Sequence, residues 1–99
     1  MDAVNNQPMW VVYLLQCRNG ALYCGISNRP QARWVAHLSG KGARYTRMHP
    51  PLAMRLVAEG LTESAARQQE HRIKQLPVAT KQALWLAAAA FLPNSDTPL

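Results

Sequence analysis

The sequence predicts an α+β, sandwich-like fold: a small three-stranded antiparallel sheet flanked by three helices, in the order β-β-α-β-α-α. Three observations predict it. Two runs rich in Val, Leu and Tyr lie on either side of Arg18-Asn19-Gly20, the pattern of a β-hairpin. Two later segments open with helix-start signals, Asn28 before Arg29-Pro30 and Thr62 before Glu63. At 99 residues and 48% hydrophobic, the chain suits one domain with a buried core.

Each element has its own reason. Met1–Met9 is polar and carries Asp2, so it is expected to be a disordered leader rather than a signal peptide. Trp10–Cys17 is the first strand and Ala21–Ser27 the second. The turn between them sets the register. A two-residue Asn19-Gly20 turn would pair Cys17 with Leu22 and place Tyr13 and Tyr23 on opposite faces. A three-residue loop, with Gly20 in the left-handed region, pairs Cys17 with Ala21 instead. This second register is preferred. It gathers Val12, Leu14, Leu22, Cys24 and Ile26 on one apolar face and puts Tyr13, Tyr23 and Gly25 on the other. It also points Cys17 and Cys24 in opposite directions, so they form no disulfide within the chain.

Asn28 is expected to cap a helix over Arg29–Leu38, with Pro30 tolerated in the first turn and Gly40 ending it. Ser39–Pro51 reads as a basic loop containing glycines, and Leu52–Ala58 as the third strand. Thr62 caps a helix from Glu63 to about Gln75, and Pro77 breaks the chain. A last helix runs from about Ala79 to Phe91, and Pro93–Leu99 is a disordered tail, so the ordered domain is expected over residues 10–92. The longest apolar run, Leu84–Leu92, is too short to span a bilayer. Two cysteines fit a reduced, cytoplasmic setting.

Charge is distributed unevenly. Between Ala3 and Ala58 there are seven bases (Arg18, Arg29, Arg33, Lys41, Arg44, Arg47 and Arg55) and no acid. The remainder carries four bases against five acids, for a net charge of +6. A one-sided basic half is the footprint of a polyphosphate binder.

Against this background five polar positions stand out: Tyr13, Tyr23, Arg33, His37 and Glu70. Arg33 and His37 lie four apart and share a helix face bordering the apolar stripe of Trp34, Val35 and Leu38. Taken alone, that pair reads more simply as a solvated basic face. Glu70 has Lys74 four residues on, the favoured order for a surface ion pair. The tyrosines alone read as half-buried strand aromatics. Gly25 inside an apolar strand implies a bulge or a close backbone approach to a ligand. Together, a phenol pair, a guanidinium, an imidazole and a carboxylate suit cleavage of a phosphodiester with one divalent metal.

In this order the residues resemble the GIY-YIG nuclease family, in particular its small single-domain members, over roughly Trp10–Leu84. Tyr13 matches the tyrosine of the first motif in Val11-Val12-Tyr13-Leu14-Leu15, and Tyr23 and Gly25 match the second in Tyr23-Cys24-Gly25-Ile26-Ser27. Arg33 matches the helix arginine, His37 a position taken by His or Tyr, and Glu70 the metal-binding glutamate. His37-Leu38-Ser39-Gly40-Lys41-Gly42-Ala43-Arg44-Tyr45-Thr46-Arg47 and Ile73-Lys74-Gln75-Leu76 also look like the stand-alone members. Val11, Val12 and Cys24 depart from the two tripeptides, and no asparagine after Glu70 matches the one many members carry.

The resemblance implies hydrolysis of DNA phosphodiesters with one Mg²⁺ or Mn²⁺, acting on repair, branched or single-stranded structures. It implies that Glu70 holds the metal, Arg33 grips the phosphate, His37 is a hydrogen-bond partner or relay, and one of Tyr13 and Tyr23 activates the water. A phenol acting as base needs its pKa lowered by roughly 3 units. Gly25, Ser27, Arg29, Lys41, Arg44, Tyr45 and Arg47 are the expected nucleic-acid contacts, with Tyr45 able to stack on a base. The partner is expected to be DNA, with RNA left open, no membrane, and a monomer or weak homodimer. A non-catalytic basic nucleic-acid-binding module is the alternative. A protein-interaction domain is a third reading, motivated by the apolar Leu84–Leu92.

Overall fold

The computed structural model describes residues 9–91. The expected tail and, apart from Met9, the expected leader lie outside the described residues. The α+β architecture is as anticipated, with two additions. In chain order the elements are β1 (Trp10–Cys17), β2 (Leu22–Ser27), α1 (Pro30–Leu38), α2 (Arg44–Met48), β3 (Pro51–Leu61), α3 (Glu63–Lys74), α4 (Val78–Ala87) and β4 (Ala89–Ala90). All strand pairs are antiparallel, in the order β2-β1-β3-β4.

The hairpin takes the three-residue loop. Cys17 N–H donates to Ala21 O (2.9 Å), Gly20 N–H donates to Cys17 O (2.9 Å), and Gly20 sits at φ +88°. The register follows, with Leu14 opposite Cys24 and Tyr13 opposite Gly25. β1 is central and covered on both faces, which is why it is nearly all apolar, Gln16 apart, rather than alternating. One face packs Val12, Leu14 and Cys24 against Ala66 and Ile73 of α3 and Trp85 of α4. The other packs Val11, Tyr13, Leu15, Cys17 and Met54 with Trp34 of α1, Tyr23 and Phe91. The two cysteines are therefore free, buried, and on opposite faces.

The helix ends show local chemistry at work. Thr62 accepts from Ala65 N–H (3.1 Å), the expected cap of α3. At the end of α1, Gly40 adopts φ +78° and Lys41 N–H donates to Ala36 O (2.8 Å), which satisfies a carbonyl of the last turn. The start of α1 differs from expectation. Asn28 does not cap it: Arg29 holds the cap position with no side-chain cap, and the Ser27 hydroxyl accepts from Arg29 N–H (2.8 Å) in a turn ahead of the helix.

Three further boundaries differ. The basic loop contains α2, a single five-residue helix. β3 runs on to Leu61 rather than stopping at Ala58, because Trp10 of β1 pairs with Leu61. α4 stops at Ala87 rather than Phe91, and Ala89–Ala90 pairs with Arg55 and Leu56 of β3. Arg55 holds that end in place: its Nη1 donates to Trp85 O (2.8 Å) and its guanidinium lies 4.5 Å from the Trp85 ring centroid. Among the described residues no helix is long and apolar enough to cross a membrane.

Candidate active site

Side chains alternate along a strand, so the hairpin register decides where the phenols point. Tyr13 and Tyr23 share the face covered by α1. Gly25, directly opposite Tyr13, is buried beneath it: a Cβ there would collide with the Tyr13 phenol. The β1–β2 ladder carries no bulge. The close approach expected at Gly25 is thus to the Tyr13 ring. The prediction is direct. Gly25→Ala must displace a fully packed phenol and is expected to cost about 1–3 kcal/mol in urea unfolding; an unchanged midpoint would show that the ring yields freely.

His37, in the last turn of α1, lies under both phenols. Its Nε2 is 2.9 Å from the Tyr13 hydroxyl. Its ring sits edge-on to Tyr13 (centroids 5.8 Å) and to Tyr23 (6.0 Å). The sequence placed His37 at the border of the buried side; it is 1% exposed. Arg33, one turn earlier on the same face, is half-buried. Its charge beside Tyr13 acts to lower the pKa of that phenol, but burial acts more strongly and raises it to about 12. Burial, then the Arg33 charge, lowers His37 to about 4. At neutral pH Tyr13 keeps its proton and His37 is uncharged. That is the reverse of the shift a catalytic Tyr13 phenolate needs.

Arg33 pairs with no carboxylate among the described residues, so its fork stays open to an anion. Glu70 approaches from α3, which packs on the other face of the sheet. It pairs with Lys74 (Oε2 to Nζ, 3.3 Å), and Lys74 Nζ lies 5.6 Å from the Tyr23 ring centroid. The structure therefore brings Tyr13, Tyr23, Arg33 and His37 together directly. It joins Glu70 to them through Lys74.

α2 supplies further contacts. Tyr45 stacks on Tyr23 (5.9 Å, 11° between planes), is tilted against His49 (4.8 Å), and accepts from Asn19 Nδ2 (2.9 Å). Lys41, Arg44 and Arg47 are exposed along the segment leading into and through α2. Arg29 is exposed at the start of α1, and the Ser27 hydroxyl is occupied by its backbone N–H.

Thr46 and Gly42 lie in the matched His37–Arg47 segment but are not among the expected site residues. Thr46 is buried and lies 2.8 Å from His37 Nδ1. A Cβ on Gly42 would collide with that same nitrogen, so only glycine lets this segment close over the imidazole. A lone threonine in a basic loop carries no periodic signal. The glycine ahead of it is the one cue that the chain comes close to something.

The site is thus a tyrosine pair over a buried histidine, beside a guanidinium that no carboxylate among the described residues pairs with, in the basic half of the chain. A model of the GIY-YIG catalytic domain matches residues 9–82, and the chain belongs to that family. It is 51% identical over 80 residues to a UPF0213 protein of Neisseria meningitidis serogroup C, covering 81% of this chain and 88% of that protein. It is 46% identical over 94 residues to a UPF0213 protein of Xanthomonas campestris pv. campestris, covering 91% of each chain. A UPF0213 protein of Xanthomonas axonopodis pv. citri is 47% identical over 98 residues, covering 99% of this chain and 92% of that one. No solved structure matches the chain.

Proposed function

We propose that this protein is a metal-dependent endonuclease that hydrolyses DNA phosphodiester bonds, acting in the cytoplasm on repair, branched or single-stranded structures. The observation that carries this reading is the Arg33 guanidinium, paired with no carboxylate among the described residues and held beside Tyr13, Tyr23 and His37 on one sheet face. The cytoplasmic placement is supported by the two free, buried cysteines.

Arg33 grips the non-bridging oxygens of the scissile phosphate with two parallel N–H donors. Tyr23 is half-buried, and it is the phenol that meets the attacking water. Tyr13 is the positioning phenol: it is 1% exposed, its hydroxyl lies 2.9 Å from His37 Nε2, and burial holds its proton firmly. Lys41, Arg44 and Arg47 clamp the nucleic-acid backbone as phosphate contacts, with Arg29 at the start of α1. Tyr45, stacked on Tyr23, extends the aromatic surface toward solvent.

Glu70 is the candidate metal holder. Among the described residues no three His, Cys, Asp or Glu side chains gather into a cage. The donor set instead fits a hard cation such as Mg²⁺ or Mn²⁺, which accepts one carboxylate and completes its shell with water and phosphate oxygens. Lys74 Nζ pairs with that carboxylate, so a metal bound there would displace the ammonium. Bound there, the metal would supply charge neutralisation at the phosphate and its leaving oxygen.

The test is an assay of the purified protein on branched, nicked and single-stranded DNA. Cleavage is expected with Mg²⁺ or Mn²⁺ and none after chelation with EDTA. Cleavage that persists in EDTA would overturn the metal requirement. Salt-sensitive binding without cleavage of any substrate would establish the non-catalytic binding module instead.

A further inference from the structure

We infer that Thr46 is a positioning residue for the tyrosine–histidine pair: it fixes the tautomer of His37, and through it the direction of the Tyr13 hydroxyl. The inference rests on the nuclease reading only for its effect on cleavage. Its structural content is independent.

The inferred protons run from the Thr46–Ala43 contact outward. The Thr46 hydroxyl has one proton, and Ala43 O, 2.9 Å away, can only accept it. With its proton on Ala43 O, which also takes Arg47 N–H (3.1 Å), the hydroxyl faces His37 Nδ1, 2.8 Å away, as an acceptor, and on this inference Nδ1 carries the imidazole proton. In a neutral ring Nε2 is then bare and accepts from the Tyr13 hydroxyl at 2.9 Å. The chain runs one way: Tyr13 O–H to His37 Nε2, His37 Nδ1–H to Thr46 Oγ1, and Thr46 O–H to Ala43 O. It leaves the lone pairs of Tyr13 facing the nearby positive charge of Arg33.

Burial gives the arrangement its force. His37 and Thr46 are the two buried polar residues of the described core, each 1% exposed. Among the described residues no buried side-chain polar atom lacks a partner. Removing the Thr46 hydroxyl would leave one ring nitrogen without a partner and without water to replace it. The same short helix also delivers Tyr45 onto Tyr23. α2 thus touches both phenols, one by stacking and one through the imidazole. The exposed Arg44 and Arg47 flank these two contacts, so the segment expected to clamp a nucleic-acid backbone is the one that orients Tyr13.

Nitrogen-15 NMR of the His37 ring reads the tautomer with no reference to activity. Wild-type protein is expected to show protonated Nδ1 and bare Nε2, and Thr46→Ser, which keeps the hydroxyl, the same pattern. Thr46→Val fills the same volume without the acceptor, and is expected to populate the Nε2–H tautomer. Its kcat on DNA should fall on the order of 10- to 100-fold with KM little changed, and Thr46→Ser should restore it. Bare Nδ1 in wild type or in Thr46→Ser overturns the inference, as does Thr46→Val with wild-type tautomer and wild-type kcat. Should Thr46→Val not fold, the wild-type and Thr46→Ser spectra alone decide. If the tautomer shifts as expected while wild type cuts no DNA, the positioning role stands and the nuclease reading fails.

Discussion

Arg33→Ala is expected to lower kcat/KM for DNA cleavage on the order of 10³-fold, the usual loss when a preorganised charge on a transferring phosphoryl group is removed. The reason is local. Arg33 projects from α1 onto the face that carries both tyrosines, and no carboxylate among the described residues occupies it. Arg33→Lys restores the charge without the planar fork and is expected to recover only part of the loss. Glu70→Ala should match Arg33→Ala, since no other carboxylate gathers with it among the described residues. A second readout separates this from simple unfolding. The Arg33 charge is one of the two causes that lower His37, so in folded Arg33→Ala the His37 pKa must rise from about 4. Cleavage within tenfold of wild type in both Arg33→Ala and Glu70→Ala would remove them from the reaction.

The hairpin was legible in the sequence because a single residue governs it. Only a glycine at position 20 makes the three-residue loop easy, and that loop puts both phenols on one face. A slip of one residue would have separated them. The α3 cap at Thr62 and the Glu70–Lys74 pair were legible for a similar reason, since both are set by spacing within one helix.

What could not be read depends on contacts between distant segments. α2 is five residues long, too short to hold itself as an isolated helix, and is held where Thr46 meets His37 and Tyr45 meets Tyr23. Its composition therefore gave no helical signal. The alanine run after Trp85 erred the other way. Alanine is the best helix former, so local preference extends α4 through Phe91. Tertiary structure overrides it: Arg55 takes the Trp85 carbonyl, Ala89–Ala90 pairs with β3, and Phe91 N–H donates to Met54 O (3.1 Å). Of the apolar stretch proposed as a contact surface, Trp85 is buried in the core while Leu86 is exposed. The Asn28 cap failed because α1 begins at Pro30, which leaves Arg29 at the cap position with no side chain capping it, while Ser27 closes a local turn onto Arg29 N–H instead.

The imidazole at the centre of the site also makes the fold sensitive to acid. His37 has an ordinary pKa of 6.5, and burial first, then the Arg33 charge, lower it to about 4 in the folded protein. Between these values the unfolded chain binds a proton that the folded one refuses, so protonation favours unfolding. The stabilisation is complete above about pH 6.5 and is lost as pH falls toward 4, by about 3 kcal/mol in total. For a domain with a typical net stability of about 5–15 kcal/mol that is a large share. Urea unfolding followed by tryptophan fluorescence at pH 7, 5.5 and 4 measures it. The midpoint is expected to fall steadily across the series, and the fall should shrink in His37→Gln, which cannot take up the proton. An equally steep fall in His37→Gln would assign the acid sensitivity to other groups. Protonating His37 also takes the acceptor away from Tyr13, since both ring nitrogens then donate. Cleavage should therefore fail in acid together with stability, because one buried ring serves the fold and orients the phenol above it.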